Sequence, residues 1–427
     1  MEGFFQKTLI YVIILSIGTL SVGFGLSYYA ASLSTCLDGF NLNTKFKKSI
    51  FNALAPICAA ISSPFVNFGI QKFGRRYPVM VSSGIVALGW LLIVITNPSY
   101  NILAYIGRGI CGLGLGAIST INPVYIAELS PTSVRGSYGV MSQLFTALGG
   151  TLIYFMGIWL HWRVMAAIAI IPPAINIACL FFIPESPAFH RMEGPFQADK
   201  EAGLLQKKYL KAWIISLLVV IFQQFSGVNA LQTNLTVIFG NSNIDLNAAT
   251  ASVIVSLSKV ITTACSTPLV ECLGRRVTWW LSSIGQCVFL LVLWANELWH
   301  FSNILPVALL FFDLLFFGIG LGPIPWFVVP ELFPDEVRGI AMGTVQTINW
   351  ALAALNVFIF PIMQESMTLA WIYFFYGAIM FISFWYGVLF LPETRNKEMG
   401  AMIIEDENRK RLSEPLVSSS AGHSRYI

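Results

Sequence analysis

The chain has 427 residues, of which 56% are hydrophobic and only 11% are charged, and its formal net charge is +4. Soluble domains carry roughly 25% charged residues, so the composition excludes an ordinary water-soluble globular protein. The small positive excess lies in short loops and forms no surface for nucleic acid, so no nucleic-acid partner is expected.

Long apolar stretches recur along the chain at the length needed to cross a bilayer. Each crossing takes about 20 apolar residues. The first stretch, from Thr8, is too long for the core of a signal peptide and is predicted to be a retained span. The sequence predicts twelve spans, at 8–30, 50–70, 78–96, 102–125, 138–160, 163–183, 211–239, 248–270, 277–296, 304–329, 339–362 and 369–391.

The basic residues between the spans predict the orientation. With the N-terminus inside, 19 of the 25 Lys and Arg residues fall on the inner side and four on the outer side, while Arg108 and Lys259 lie within spans. Inner loops of membrane proteins are enriched in Lys and Arg. We therefore expect both termini in the cytoplasm. Separately, we expect a multi-pass protein of the plasma membrane rather than of an endomembrane.

The two halves of the chain repeat the same short motifs. ELSPTSVRG at 128–136 returns as ELFPDEVRG at 331–339, FGRR at 73–76 as LGRR at 273–276, and PES at 184–186 as PET at 392–394. Each half has an even number of spans, so the halves share one orientation, as in transporters built from parallel repeats. The predicted fold is an all-α membrane protein of two six-helix bundles, 1–187 and 211–392, with a short cytoplasmic linker at 188–210 and a disordered tail at 393–427.

The repeated motifs place acidic and basic residues together on the inner face. They either mark the ends of loops or form an ion-pair network that clamps the helix ends while the inner side is closed. The repetition of the layout in both halves favours the network, with a role in gating. Exposed pairs contribute only ~0–1 kcal/mol each, which suits contacts that must open. The expected pairs are Glu128 with Arg135, Glu271 with Arg275 and Arg276, and Glu331 with Arg338, with Glu185 and Glu393 at span ends.

Five motifs in order resemble the sugar porter family of the major facilitator superfamily. They are GRGICGLGLGAISTINPVYIAELSPTSVRG at 107–136, PESP at 184–187, QQFSGVN at 223–229, GPIPWFVVPELFP at 322–334 and PETR at 392–395. The resemblance covers nearly all of the spans. It implies a carrier that moves hexose-like solutes by alternating access.

The resemblance also implies which residues contact the sugar. Amide side chains donate and accept hydrogen bonds, as sugar hydroxyls do, and aromatic faces stack on the sugar ring. A single amide is explained equally well as a bond between helices, but five amides on three helices favour a sugar site. The residues carried over are Gln143 on span 5, Gln223, Gln224 and Asn229 on span 7, Trp326 on span 10, and Asn349 and Trp350 on span 11.

One departure from the family concerns coupling to protons. Proton-coupled members have an aspartate near the end of span 1, close to an arginine on span 4. Here GFGLSYYA at 23–30 has no carboxylate, although Arg108 is present. We therefore expect a uniporter, in which Arg108 is held by carbonyl groups or tyrosine hydroxyls rather than by the solute.

A second departure is Lys259 in the middle of span 8, where the family commonly has an asparagine or a glutamine. A charge at this depth indicates a functional residue, and Lys259 is included among the substrate-binding candidates. An unpaired Lys259 facing the cavity would favour an anionic solute. The other interpretation is a structural pair, with Asp313 as the candidate partner, or contact with interfacial water.

The sequence has no nucleophile–base set, metal cluster or phosphate loop, so we expect neither an enzyme nor a bound metal or cofactor. The seven cysteines lie mostly in apolar runs and are predicted to be small buried side chains. The expected partners are a sugar or related polar solute and the lipid bilayer. The leading hypothesis is a facilitative hexose carrier. The alternatives are a carrier of another polyol or of an organic anion, and a sugar sensor that does not transport.

Overall fold

Helices make up the protein in the computed structural model, which describes residues 2–37, 39–131, 135–186, 189, 206–240 and 246–395. In these residues there is no strand, and twelve spans are long and apolar enough to cross a membrane, as predicted. Most of the predicted linker, 190–205, and the tail from residue 396 lie outside the described residues. The nine unbroken spans are the helices Glu2–Cys36, Lys45–Phe73, Arg76–Ile95, Ile102–Leu129, Arg135–Met156, Ala248–Leu273, Arg275–Trp299, Asp335–Ser366 and Leu369–Leu389.

Three spans are interrupted along their length. Their helices are Trp162–Ile168 and Ile171–Leu180 in span 6, Leu210–Gln224, Val228–Gln232 and Leu235–Gly240 in span 7, and Leu305–Ile319 and Ile324–Leu332 in span 10. The first break in span 7 falls at Gly227, whose φ of 82° lies in the left-handed region. A Cβ atom at Gly227 would also lie 2.7 Å from ring atoms of Tyr376. Both the backbone angle and the lack of space require glycine at this break.

The packing of the two halves follows one plan. In the first half, span 1 packs against span 5, spans 2 and 3 against span 4, and span 3 against span 6. In the second half, span 7 packs against span 11, spans 8 and 9 against span 10, and span 9 against span 12. Each second-half pair is a first-half pair shifted by six spans. Two further pairs join the halves: span 2 packs against span 11, and span 5 packs against span 8. These two pairs are equivalent, because span 8 is the counterpart of span 2 and span 11 is the counterpart of span 5.

Apolar side chains lie both between the spans and on the outer surface. Inside the first half, the rings of Tyr28 and Trp90 meet edge to face with centroids 4.9 Å apart. On the outside, Phe65 and Phe182 are exposed by 68% and 80%. A chain with such a surface has its favourable environment in lipid rather than in water.

Spans 3 and 4 approach each other closely at a pair of glycines. A Cβ atom at Gly89 would lie 2.6 Å from the main-chain nitrogen of Cys111 and 2.7 Å from the carbonyl oxygen of Gly107. Real Cβ atoms do not come this close to main-chain atoms. Gly84, on the same helix as Gly89, faces open space, where a Cβ atom would meet no other atom within 4 Å.

We expect the substitution Gly89→Ala to lower the thermal stability of the purified protein. Forcing an extra methyl group into a packed interface typically costs about 1–3 kcal/mol. The matched control is Gly84→Ala, which should leave the melting temperature unchanged or slightly raised, because alanine favours helices. Thermal unfolding in detergent, followed by tryptophan fluorescence, measures both variants, and equal melting temperatures would contradict the close contact at Gly89.

Candidate solute-binding site

Three amide side chains of spans 7 and 11 form a hydrogen-bonded group, here called the amide cluster, made of Gln224, Asn229 and Asn349. Gln224 Nε2 donates to Asn349 Oδ1 at 2.5 Å, and Gln224 Oε1 accepts from Asn229 Nδ2 at 2.7 Å. Gln224 ends one helix of span 7, and Asn229 lies in the next. The break at Gly227 therefore brings the two span 7 amides together. The remaining lone pairs and N–H groups of Asn229 and Asn349 are available for hydrogen bonds to a solute.

A second amide of span 11 supports the break in span 7. Asn356 Nδ2 donates to the main-chain carbonyl of Gln224, which the helix end leaves without a helical partner. Asn356 Oδ1 in turn accepts from the Tyr376 hydroxyl at 2.6 Å. The sequence reasoning missed Asn356. It lies seven residues, or two turns, after Asn349, and this spacing on one helix face was the signal that could have found it.

Gln223 is directed to the break in span 10 rather than to the amide cluster. Its Nε2 donates to the carbonyls of Leu321 and Gly322 at 3.0 and 2.9 Å. These carbonyls lie between the two helices of span 10. Gln223 Oε1 is buried and accepts no hydrogen bond from the described part of the chain. The side chain therefore supports span 10 with its donor and keeps one acceptor available.

The two candidate tryptophans have different surroundings. Trp326 is half-buried near the start of the second helix of span 10, just after the break. Trp350 is mostly buried, and its indole Nε1 donates to Ser119 Oγ of span 4 at 3.1 Å. Gln346 Nε2 reaches the same hydroxyl at 3.4 Å. Trp350 thus makes a polar contact between the two halves, and Ser119 is a partner that the sequence reasoning did not identify.

Span 5 brings Gln143 to the interface from the first half. Gln143 is half-buried, and its amide forms no hydrogen bond with the residues that the structure describes. Tyr154 lies eleven residues further along, which is about three turns and about 16 Å on the same helix face. Its hydroxyl donates to the main-chain carbonyl of Gln232 on span 7. Gln143 therefore lies on the same helix face as Tyr154, which contacts span 7 further along the helix.

Lys259 is bound by an amide and an aromatic ring. Its Nζ donates to Gln232 Oε1 at 3.1 Å and lies 5.7 Å from the centre of the Phe317 ring. The candidate pair with Asp313 is wrong. The Asp313 carboxylate accepts from Gln286 Nε2 of span 9 at 3.2 Å, because this face of span 10 packs against span 9. Over the described ranges, no carboxylate lies within 4.0 Å of Lys259.

Arg108 is completely buried in the first half. It donates to the main-chain carbonyl of Gly25 and lies 5.7 Å from the centre of the Phe51 ring. The hydroxyl of Tyr28, three residues after Gly25, donates instead to the main-chain carbonyl of Trp162 at 3.0 Å. The structure thus confirms the interpretation that a carbonyl group holds Arg108. Within the described part of the chain, Arg108 makes no ion pair.

Charged clusters lie on the terminal face, defined as the side of the bundle where span 1 begins and span 12 ends. In the first half, Arg75 Nε and Nη2 donate to the two oxygens of Glu128 at 2.8 and 2.7 Å. Ser186 Oγ donates to the same carboxylate. Glu185 accepts from the main-chain N–H groups of Arg75 and Arg76 at 2.8 and 3.1 Å. A carboxylate is favourable there because the start of a helix presents free N–H groups and positive partial charge.

The second half repeats this cluster group by group. Arg275 Nη2 donates to Glu331 at 2.8 Å, and the Thr394 hydroxyl donates to the same carboxylate. Glu393 accepts from the main-chain N–H groups of Arg275 and Arg276, both at 3.1 Å. Burial of Glu393 disfavours its charged form, but main-chain N–H donors and the charge of Arg275 outweigh this and lower its pKa below the usual value. Glu393 therefore stays ionised at neutral pH.

The partner predicted for Glu331 is wrong, whereas the pairing of Glu128 with Arg135 stays a prediction. Glu128 pairs with Arg75, and the side chain of Arg135 lies outside the described residues. Glu331 pairs with Arg275. The physical reason is helix packing: spans 3 and 4, like spans 9 and 10, are packed neighbours, so an arginine at the start of one span meets the carboxylate at the end of the other.

The remaining expectations for the network are also corrected. Glu271 is exposed and makes no ion pair with the described residues, whereas Arg338 donates to the carbonyls of Pro330 and Phe333. Every hydrogen bond and ion pair given above for the two clusters joins spans of the same half. Among the described residues, the clusters therefore tie together the helix ends within each half.

Comparison of the sequence with known proteins identifies a family of transporters. A family model described as "Sugar (and other) transporter" matches residues 11–204 and 196–402. The sugar transporter ERD6-like 6 of Arabidopsis thaliana is 27% identical over 91% of this chain and 88% of its own length. The facilitated trehalose transporter Tret1 of Bombyx mori is 27% identical over 90% of this chain and 84% of its own length.

A solved structure shows the same fold. The proton:xylose symporter XylE of the major facilitator superfamily, bound to 6-bromo-6-deoxy-D-glucose, matches with a TM-score of 0.80 at 20% identity, over 92% of this chain and 98% of that chain. At an identity of 20%, the similarity supports a common fold and nothing further. It confirms the predicted major facilitator fold.

We expect Glu128→Gln to destabilise the protein strongly. The Arg75 and Glu128 side chains are only 5% and 19% exposed, and removing one partner of a buried pair costs of the order of 3 kcal/mol. The matched control is Lys45→Gln, which breaks the pair between Lys45 and Glu365, whose side chains are 51% and 52% exposed. An exposed pair is worth about 0–1 kcal/mol, so the melting temperature should hardly change. Equal losses in the two variants would contradict this assignment.

Proposed function

Because the chain belongs to the sugar (and other) transporter family, we propose that it carries a hexose-sized sugar such as glucose across the membrane by alternating access. The amide cluster is the observation that carries the proposal. It presents donors and acceptors from two spans at the break in span 7, where a sugar hydroxyl can replace one amide–amide bond with two bonds of its own. The family transports solutes, and the protein is not an enzyme.

We assign solute contacts to both halves. In the second half, the amide cluster and the free Oε1 of Gln223 meet the hydroxyls, while Trp326 and Trp350 supply apolar faces. In the first half, the amide of Gln143 has no hydrogen-bond partner among the described residues and lies on the helix face that carries Tyr154. A solute that bonds to both halves is released when they separate on one side, which is what alternating access requires.

The moving bodies in this proposal are the two six-span units, 1–187 and 211–392, joined by the linker 188–210. We expect both termini in the cytoplasm, because the loops on that side carry most of the Lys and Arg residues. The terminal-face clusters hold the helix ends of each unit together, which lets the units rock as bodies. Of the polar contacts between the units, the bonds of Tyr154 to Gln232 and of Trp350 to Ser119 must change during the cycle.

We propose uniport because of the surroundings of Arg108. The related structure is named as a proton symporter, and in proton-coupled members of the family an aspartate of span 1 lies close to this arginine. In this chain the position is taken by apolar, serine and tyrosine residues, and Arg108 is bonded to the Gly25 carbonyl. Without a titratable acid at this place, a proton cannot bind there and drive the cycle.

The transport proposal is tested by counterflow in proteoliposomes. Vesicles loaded with unlabelled glucose should take up labelled glucose at equal internal and external pH. A trapped pH-sensitive dye should record no proton movement, because uniport moves the sugar alone. Acidification of the vesicle interior during glucose entry would contradict uniport. Glucose binding without any counterflow would favour the alternative of a sugar sensor.

The solute contact assigned to Gln143 has a separate test. We expect Gln143→Ala to raise the KM for sugar roughly two- to tenfold, the worth of one hydrogen bond, without lowering thermal stability, because the amide has no described protein partner. The matched control is Asn176→Ala. Asn176 is fully buried and bonds the Ile14 carbonyl and Ser83 Oγ at 2.7 and 3.0 Å. Its loss should lower stability and leave the KM of the folded fraction unchanged. An unchanged KM in Gln143→Ala would remove this residue from the site.

A further inference from the structure

The ammonium group of Lys259 lies near the middle of span 8, and no carboxylate of the described residues pairs with it. Lys259 is eleven residues from the start and fourteen from the end of Ala248–Leu273, or about 16 and 21 Å at 1.5 Å per residue. Its side chain is too short to reach water at either end. The Gln232 amide oxygen and the Phe317 ring stabilise the cation, but both are neutral. An uncompensated charge at this depth is costly and marks a functional group.

This ammonium group also lies next to the proposed sugar site. Gln232, which accepts its hydrogen bond, follows Asn229 of the amide cluster by three residues in the same short helix, Val228–Gln232. Residues three apart on a helix lie about one turn apart on the same face. The Gln232 main-chain carbonyl meets Tyr154 of the first half, so this turn also borders the interface between the halves. A sugar held by the amide cluster therefore has one end within reach of Lys259.

We propose that the preferred solute is a sugar with one carboxylate group, such as a hexuronate. Its carboxylate pairs with Lys259 while its hydroxyls bond to the amide cluster. This inference rests on the transport function proposed above and narrows its substrate class. One carboxylate neutralises one ammonium, whereas a phosphate ester of nearly two negative charges requires a second cation. Arg108 cannot serve as that cation, because it is fully buried against the Gly25 carbonyl.

The charge of the solute decides how well it fits. Hydrogen bonds between ionised partners are roughly twice as strong as those between neutral groups. A hexuronate keeps the ring and most hydroxyls of the hexose and adds one such bond. A neutral hexose forms the same contacts with the amide cluster but leaves the charge of Lys259 uncompensated. The site should therefore discriminate between the two by charge at one position.

The experiment compares glucose with glucuronate, which differ only at the sixth carbon. The full-length protein is reconstituted into vesicles of neutral lipid, and the membrane potential is held at zero with potassium and valinomycin. We expect the wild-type protein to transport glucuronate with a kcat/KM about tenfold or more above that for glucose. Lys259→Gln should remove this preference, so that its kcat/KM for glucuronate no longer exceeds its kcat/KM for glucose, and Lys259→Arg should retain the preference. Lys72→Gln is the matched control, because it removes an exposed charge on the terminal face, and its preference should equal that of the wild type.

The outcomes separate the two proposals. If the wild-type protein transports glucose but neither transports glucuronate nor is inhibited by it, the acidic-sugar inference is overturned and the hexose function stands. If Lys259→Gln keeps the preference for glucuronate, the role of Lys259 is overturned. If Lys259→Gln does not fold, competition between the two solutes in the wild type and in Lys259→Arg decides the question. A folded wild-type protein that moves neither solute overturns the transport function and this inference with it.

Discussion

This structure depends on how the main-chain carbonyl groups at the breaks in spans 7 and 10 obtain hydrogen-bond donors. A main-chain carbonyl without a helical partner is costly when it is buried, so a donor from the protein stabilises it. Gln223 of span 7 supplies it for span 10, and Asn356 of span 11 supplies it for span 7. The stretches that solve this problem also carry the amides assigned to the solute. The side chains that support the broken helices and those proposed to recognise the sugar are therefore neighbours on the same two spans.

The remaining polar residues divide into those that hold each half together and those that join the halves. The terminal-face clusters belong to the first group, and their repetition shows that both halves use one solution for joining spans 3 and 4 or spans 9 and 10. Among the described residues, the second group includes the contacts of Tyr154 with Gln232 and of Trp350 with Ser119. Charged contacts within each half are compatible with the proposal that the halves move as two bodies.

The sequence was sufficient for the spans, the repeats and the fold, because apolar length and duplicated motifs are local properties of a chain. It was not sufficient for the partners. Arg75 and Glu128 are separated by 53 residues, and only the packing of spans 3 and 4 brings them together. Lys259 was recognised as unusual, but its partner Gln232 was not, because the break at Gly227 changes the direction of span 7. Gln223 shows the same limit: the motif identified the residue, and only the structure showed that its donor supports span 10.

The main chain and the side chain of Gln232 make different contacts. The Tyr154 hydroxyl of the first half bonds to its main-chain carbonyl, whereas Lys259 bonds to its side chain. Every amino acid supplies the carbonyl, so the joint between the halves does not depend on which side chain stands at this position. The charge and polarity beside the proposed solute site can consequently diverge among descendants of this chain by single substitutions, without a matching change in span 5. Such a position is evolvable: new substrate preferences can arise there while the moving joint is inherited intact.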